Sequence, residues 1–385
     1  MDDTPDWKEM KIAFIGQKGI PATFGGVEYH VDRLSTELAA LGHDVTVYVR
    51  NWYTEKGMNT YKGVRLVHIP TIRSKHADAS IHSFFCSVHS LFVDYDIIHY
   101  HGIGPAFFSL IPRAFRKNVV TTIHRLDWDT EKWGKPAKIL LKMGEKIAAK
   151  VPLRTLVVSK DLQKYVRDTY NAETIHIPHG IDPSKPRAPQ IITEKYGLEG
   201  RDFVLFMGRL TPEKRVDWLI DAFQDVLEQL PPQDRGIKLI IAGGSSATPG
   251  YVRKLQEMSR NEQRIVFIGY VTGEEKEELL SNALIFSLPS HLEGYPIVLL
   301  EARSYGLCCL TSDIPPHADA IRDETDGVLF KTDDPFDLRK KLLHLIRHPE
   351  LALKLGLAAR QDLHQKQSWS EIAAATAAIY RELCI

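Results

Sequence analysis

Four charged residues in the C-terminal half of the chain set the chemical question. In "FMGRLTPEKRVDWLIDAF", Arg209 comes just past an apolar, strand-like run, and Lys214 follows five residues later where a helix is about to start. Cations at a helix N-terminus oppose the macrodipole. Two of them make sense there around an anion, because arginine can grip phosphate through paired hydrogen bonds and lysine adds a movable point charge. In "HLEGYPIVLLEARSYG", Glu293 precedes the turn Gly294-Tyr295-Pro296, and Glu301 lies inside the apolar segment that follows. Pro296 suits the first helical turn, and the free N–H groups of a helix start attract phosphate. Glu301 would then stand roughly 7–8 Å along the helix, about the span from a diphosphate to the vicinal hydroxyls of a ribose. A carboxylate can accept from both hydroxyls. Glu293, before the turn, would face the other side of the diphosphate, where a sugar would sit. Each residue alone also reads as a solvated or ion-paired surface charge; the combination points to a ligand carrying a diphosphate, a ribose and a sugar.

The N-terminal half offers a second set. The loop Gly16–Gly26, "GQKGIPATFGG", looks at first like a dinucleotide fingerprint, but Lys18 and Pro21 stand where GxGxxG needs glycine. The next strand ends in Arg50-Asn51 and not in a ribose-binding acid. Gly25 and Gly26 still precede a helix and would let backbone N–H groups approach an anion closely, although an ordinary tight turn would look the same. His124 ends the strand "VVTTIH" and His101 ends "DIIHYH". Both are expected at an interdomain crevice, with Asp127 and Trp128 lining an acceptor site. The glycines at Gly243–Gly244 and Gly269–Val271 are the expected surroundings of the nucleotide base.

The elements that must position these groups alternate in a regular way. "KIAFIG", "DVTVYVR", "DIIHYHG", "VVTTIH", "TLVVSK" and "ETIHIPHG" are short apolar runs with loops and periodic stretches between them, among them the amphipathic stretch from Val27 closed by Gly42. That grammar predicts a parallel sheet covered by helices. After the Pro-rich stretch "HGIDPSKPRAPQ" it restarts with "FVLFMGRL", "IKLIIAGG", "RIVFIGYV" and "ALIFSLPS". The expected architecture is α/β: two doubly wound, Rossmann-like domains facing a crevice, spanning 1–183 and 184–367. A final helix over 368–385 crosses back to the first domain. In such sheets ligands bind beyond the carboxyl ends of the strands.

Bulk properties agree with a two-domain protein of 385 residues. The four cysteines form no CxxC or metal-like spacing, and no run approaches the length of a membrane span. Residues 1–10 are polar and acidic, with no secretory pattern, so a cytoplasmic location is expected. The overall charge is balanced, but residues 1–190 hold 26 Lys/Arg against 20 Asp/Glu. Within that half, 113–167 carries 14 basic and 5 acidic side chains. Segment 135–150 repeats lysine at 138, 142, 146 and 150 beside Ile139, Leu140, Met143 and Ile147. It reads either as a helix docked on its own domain or as a surface for anionic lipid head groups at the inner face of the plasma membrane.

The residues quoted resemble glycosyltransferase family 4, the retaining nucleotide-sugar transferases with the GT-B fold. The resemblance rests on the Gly25-Gly26 loop, "GRLTPEKRVDWLIDAF", "EGYPIVLLEA" and the terminal "SWSEIAAATAAIYREL". "IAFIGQKGIPATFGGVEYHV" with "LDWDTEKWG" is similar to a bacterial rhamnosyltransferase-like subgroup of surface polysaccharide synthesis. It implies that Arg209 and Lys214 bind the donor diphosphate, Glu301 the ribose, and Glu293 the sugar near the reacting carbon. Gly26 would present its N–H, and His124 would touch the sugar. Arg125 departs from the small or acidic residue often found after that histidine, which leaves acceptor and donor choice open. No cofactor or nucleic-acid partner is expected, and no essential metal either, since no DxD-like pair ends a strand. The partners implied are a nucleotide sugar, with dTDP-rhamnose or a UDP-sugar as candidates, and a glycan or lipid-linked acceptor. A sugar-nucleotide epimerase of the same architecture and a non-catalytic partner in a polysaccharide assembly complex are the competing readings.

Overall fold

The computed structural model describes residues 9–72, 74, 77–129, 134–231, 236–245, 248–363 and 368–384. The chain forms two compact units, Met1–Gly180 with Gln367–Ile385, and Ile181–Lys366. Unit 1 carries strands β1 (Lys11–Ile15), β2 (Asp44–Arg50), β3 (Thr60–Tyr61), β4 (Val64–Ile69), β5 (Ile97–His101), β6 (Val119–Ile123), β7 (Arg154–Val157) and β8 (Ile175–His176). Its helices are α1 (Gly26–Ala40), α2 (Asp78–His89), α3 (Ile103–Ala106), α4 (Leu110–Ala114), α5 (Lys135–Lys150) and α6 (Lys160–Tyr170). Unit 2 holds α7 (Ile191–Tyr196), β9 (Phe203–Met207), α8 (Val216–Gln229), β10 (Lys238–Ala242), α9 (Pro249–Met258), β11 (Ile265–Gly269), α10 (Gly273–Asn282) and β12 (Ile285–Leu288). It continues through α11 (Ile297–Ser304), β13 (Cys308–Ser312), α12 (Pro315–Ala318), β14 (Val328–Phe330), α13 (Pro335–Arg347) and α14 (Pro349–Leu363), before α15 (Trp369–Arg381) returns to unit 1.

The sheet of unit 1 runs β3-β4-β2-β1-β5-β6-β7-β8 and that of unit 2 runs β11-β10-β9-β12-β13-β14. Every pairing is parallel except β3 with β4. Both are doubly wound α/β sheets of the GT-B class. Buried on both faces, their strands are continuous apolar runs: "FVLFM" in β9 is buried throughout. The order reverses between β1 and β5 in unit 1 and between β9 and β12 in unit 2. These are the topological switch points, where loops diverge and leave room for a ligand. Arg209 and Lys214 follow β9, and Glu293 follows β12; the Gly16–Gly26 loop follows β1, and His101 ends β5.

The last helix is fixed to unit 1 by its own signals. Ser368 accepts from the Glu371 N–H and the Glu371 side chain returns a bond to Ser368, a capping box. Trp369, Ile372, Ala373, Ala377 and Tyr380 are buried in the unit 1 core, and α15 packs on α1. A Cβ on Gly180 would lie 2.6 Å from the Trp369 ring, so the chain leaving β8 must be glycine for the indole to fit. Tyr380 Oη meets His99 Nδ1 at 2.5 Å at the centre of the sheet. Trp369→Ala is expected to lower unfolding stability by about 3–5 kcal/mol, read by denaturant titration; a loss below about 1 kcal/mol would mean that the helix contributes little to unit 1.

Candidate active site

In unit 2 the two quoted motifs are laced together at the switch point. The His291 N–H donates to the Glu213 carbonyl at 3.0 Å, tying the loop after β12 to the loop after β9. The Lys214 ammonium and the Glu293 carboxylate are both buried and bonded directly to each other. Ser290 Oγ donates to the same carboxylate oxygen at 2.8 Å. Lys214 does not open a helix: it ends a single 3-10 turn, Pro212–Lys214, and α8 begins at Val216. Arg209 stands more open, 3.9 Å from the Glu213 carboxylate. Beside it, Gly243 takes a φ of +135° that brings it against Gly208, where a Cβ would lie 1.8 Å from a carbonyl oxygen. Tyr270 Oη donates to the Gly244 carbonyl at 2.7 Å. The glycine stretches singled out for the base therefore adjoin one another and the Arg209 loop.

Helix α11 begins at Ile297, and Pro296 is its N-cap with φ −75° and ψ 112°, extended and outside the first turn. Gly294, Tyr295 and Pro296 form the approach to the helix, and the Ile297 and Val298 N–H groups stand at its start, ahead of the Leu299 and Leu300 N–H groups that donate to the Pro296 carbonyl. Glu301, the fifth residue of α11, accepts from Lys276 Nζ of α10 at 2.6 Å. The fully buried charge on this helix is Arg303, which points inward to Asp326 at 3.4 Å and Asp362 at 3.3 Å and so fastens α11 to α14.

In unit 1, Gly25 caps α1 with φ +104°, and a side chain there would meet the Glu28 carboxylate at 1.9 Å. Glu28 is buried and takes bonds from both Lys18 Nζ and the Lys18 N–H. The lysine that spoils the dinucleotide fingerprint thus braces the loop as one half of an ion pair. A Cβ on Gly26 would meet nothing within 4 Å. His101 and His124 are both buried, with Nδ1 of the first 3.1 Å from Nε2 of the second. His101 is thus packed against His124. Asp127 accepts from Arg125 Nε at 2.7 Å, and Trp128 Nε1 donates to the buried Glu145. Residues 130–133 of the quoted "LDWDTEKWG" lie outside the described residues.

Comparison with known proteins settles the family. Residues 190–362 match the group 1 glycosyl transferase model and residues 24–185 match the glycosyltransferase family 4 model. The chain belongs to glycosyltransferase family 4. An uncharacterized glycosyltransferase of Methanocaldococcus jannaschii is 25% identical over 390 residues, covering 97% of this chain and 98% of the relative. The Escherichia coli UDP-Gal:alpha-D-GlcNAc-diphosphoundecaprenol alpha-1,3-galactosyltransferase is 28% identical over 251 residues, 62% of this chain and 63% of the relative. Among solved structures, the sucrose-phosphate synthase of Thermosynechococcus elongatus superposes with a TM-score of 0.82 at 22% identity, covering 97% and 99% of the two chains.

Two residues near His124 carry no signal in a glycosyltransferase read from sequence alone. His30 of α1 and His179 beyond β8 are buried, with their Nδ1 atoms 2.9 Å apart, and their rings pack on His124. His30, His101 and His124 bring one nitrogen each within 4.8 Å of one another, the arrangement that could hold a metal among the described residues. Two imidazole–imidazole hydrogen bonds already account for the grouping. Burial drives His124 down to about 3, with His99 adding a smaller push. Burial and then the neighbouring imidazoles hold His30, His101 and His179 well below the usual range. The cluster is therefore neutral at physiological pH and offers hydrogen bonds without charge.

Glu293 behaves in the opposite way. Burial alone would raise its carboxyl, but Lys214 and the hydrogen bonds from Lys214 and Ser290 outweigh it and hold the group below the ordinary carboxylate value. Its ionisation therefore stabilises the fold above the pKa of a free glutamate, and that contribution is lost as pH falls through the lowered folded value. Lys214→Met leaves the carboxylate buried without its cation, a deficit of about 3–5 kcal/mol at neutral pH that shrinks on acidification. Urea titrations across pH check this, and a deficit independent of pH would contradict it.

Proposed function

We propose that this glycosyltransferase moves a sugar from a nucleoside diphosphate sugar to a glycan or lipid-linked acceptor, with retention at the anomeric carbon and no essential metal, in bacterial surface polysaccharide synthesis. The observation that carries the reading is the buried Lys214–Glu293 pair at the switch point of unit 2, next to Arg209 and the start of α11. Arg209, Lys214 and the N–H groups at Ile297 and Val298 meet the charge growing on the leaving diphosphate, the type of preorganised stabilisation that is usually the largest catalytic term. In the reaction the acceptor oxygen forms a bond to the anomeric carbon on the face the leaving group departs from. The carbon–oxygen bond to the diphosphate breaks with its electron pair staying on phosphate, and that phosphate oxygen takes the acceptor proton. Glu293 faces the sugar at the reacting carbon, and Glu301 receives the ribose hydroxyls. Unit 1 contributes the Gly25-Gly26 backbone and the neutral His124 imidazole to the donor, and Asp127 and Trp128 to the acceptor. Contact of residues 135–150 with an anionic membrane suits a lipid-linked acceptor, and the E. coli relative is named for a substrate on diphosphoundecaprenol. UDP-sugars and dTDP-rhamnose are the donors to try first.

A thermal-shift panel of UDP-, dTDP- and GDP-sugars tests this. One donor should stabilise the protein, by about 2.7 kcal/mol at a hundredfold excess over Kd. Glu301→Ala should weaken that donor at least about tenfold, the worth of a lost hydrogen bond to a charged group. Stabilisation by no donor, or an unchanged response in the variant, would sink the reading; conversion of a donor to its epimer without acceptor would replace it.

A further inference from the structure

The apolar side chains of α5 are not where a helix docked on its own domain would put them. The face that touches unit 1 is built from small residues: Gly144 lies so close to Ile103 that a Cβ would meet its carbonyl oxygen at 2.4 Å, and Ala148 and Ala149 are buried. Ile139 (63% exposed), Leu140 and Met143 point outward beside Lys135, Lys142 and Lys146. Nor is α5 alone. It packs against α3, and α3 against α2 and the 3-10 turn at 107–109, so these elements lie side by side on one face of the sheet. The outer side of that layer exposes Phe84 and Phe85 of α2, whose Phe84 ring is 6.0 Å from Phe108. Phe92, 84% exposed, follows α2, and Phe115, 67% exposed, follows α4. The segments after them approach each other through Lys117 and Asp94, 3.8 Å apart. Large exposed apolar groups gathered in this way mark an interaction surface.

Charge selects the partner. The acids of α2, α4 and α5 are Asp78 and Glu145. Both are buried and engaged, Asp78 with Arg50 at 2.7 Å and Glu145 with Trp128, Tyr165 and Tyr170, and the one acid the Phe92 turn adds, the exposed Asp94, stands 3.8 Å from Lys117. Arg116, Lys135, Lys142, Lys146 and Lys150 are all exposed. A second copy of this face would bring like charges together, whereas lipid phosphates would neutralise them while the aromatic and aliphatic side chains enter the acyl boundary. We propose that the outer face of α2, the Phe92 turn, α4 and α5 of unit 1 docks on an anionic lipid bilayer. The inference rests on the lipid-linked acceptor proposed above, and it widens the contact from one basic helix to a four-element aromatic and basic face.

The test floats the full chain with phosphatidylcholine vesicles, with and without one-third phosphatidylglycerol, at low and high salt. The wild type should bind the anionic vesicles and release as salt rises. Lys135→Glu with Lys146→Glu should cut partitioning at least about tenfold, from about fivefold per lysine charge. Phe92→Ser with Ile139→Ser and Leu140→Ser should abolish the part of binding that salt does not remove. Failure of the wild type to float on anionic vesicles, or variants that float as well as it does, would overturn the proposal. So would a wild-type dimer in light scattering that the apolar variant converts to monomer. None of these residues belongs to the donor site, so donor stabilisation read on the same proteins separates failure of this surface from failure of the transferase reading.

Discussion

Two opposite charges, Lys214 and Glu293, are buried together where the strand order of unit 2 reverses. Removing both from water costs several kcal/mol each, and apolar side chains of like volume would fold as well. The pair is held in a frame that serves it: Ser290 donates to the carboxylate, the His291–Glu213 backbone bond locks the two loops, and β9 and β12 lie side by side so that both loops leave the same sheet end. In the proposed function the charges have a use beyond stability. In the donor reading the two groups neutralise each other until a diphosphate and a sugar arrive to divide them.

The same economy appears around α11. The unusual charge in "PIVLLEARSYG" looked like Glu301, yet Glu301 keeps 18% of its side chain exposed and is held by Lys276, whereas Arg303 is the one buried outright. Arg303 fixes the helix from within, through Asp326 and Asp362, while Glu301 pairs with Lys276 of α10. In the proposed function, anchoring and recognition are divided between two residues of one short helix. In unit 1 the corresponding place is filled by neutral imidazoles, which orient His124 without adding charge to a region that already has Lys18 and Glu28 paired nearby.

The doubly wound architecture and the returning helix were legible because parallel strands buried on both faces leave plain apolar runs, and because a capping signal such as "SWSE" is local. The β3–β4 hairpin escaped notice because "VRLVHI" alternates weakly, and β13 because "CCLTS" carries no aliphatic run. Arg209, Lys214, Glu293 and Glu301 stood out by charge type and position. Their surroundings did not: Lys276 reaches Glu301 from another helix, and His30 and His179 reach His124 from distant segments, with no spacing to announce them. The start of α11 slipped by a residue for a related reason, since proline is compatible with both the N-cap and the first turn, and only the backbone angles decide.

The most direct measurement is the structure of this glycosyltransferase with the nucleoside diphosphate sugar that stabilises it. The account predicts Lys214 Nζ and Arg209 on diphosphate oxygens and the Glu301 carboxylate on the two ribose hydroxyls. A nucleotide bound elsewhere, with Lys214 still on Glu293 and Glu301 still on Lys276, would contradict it.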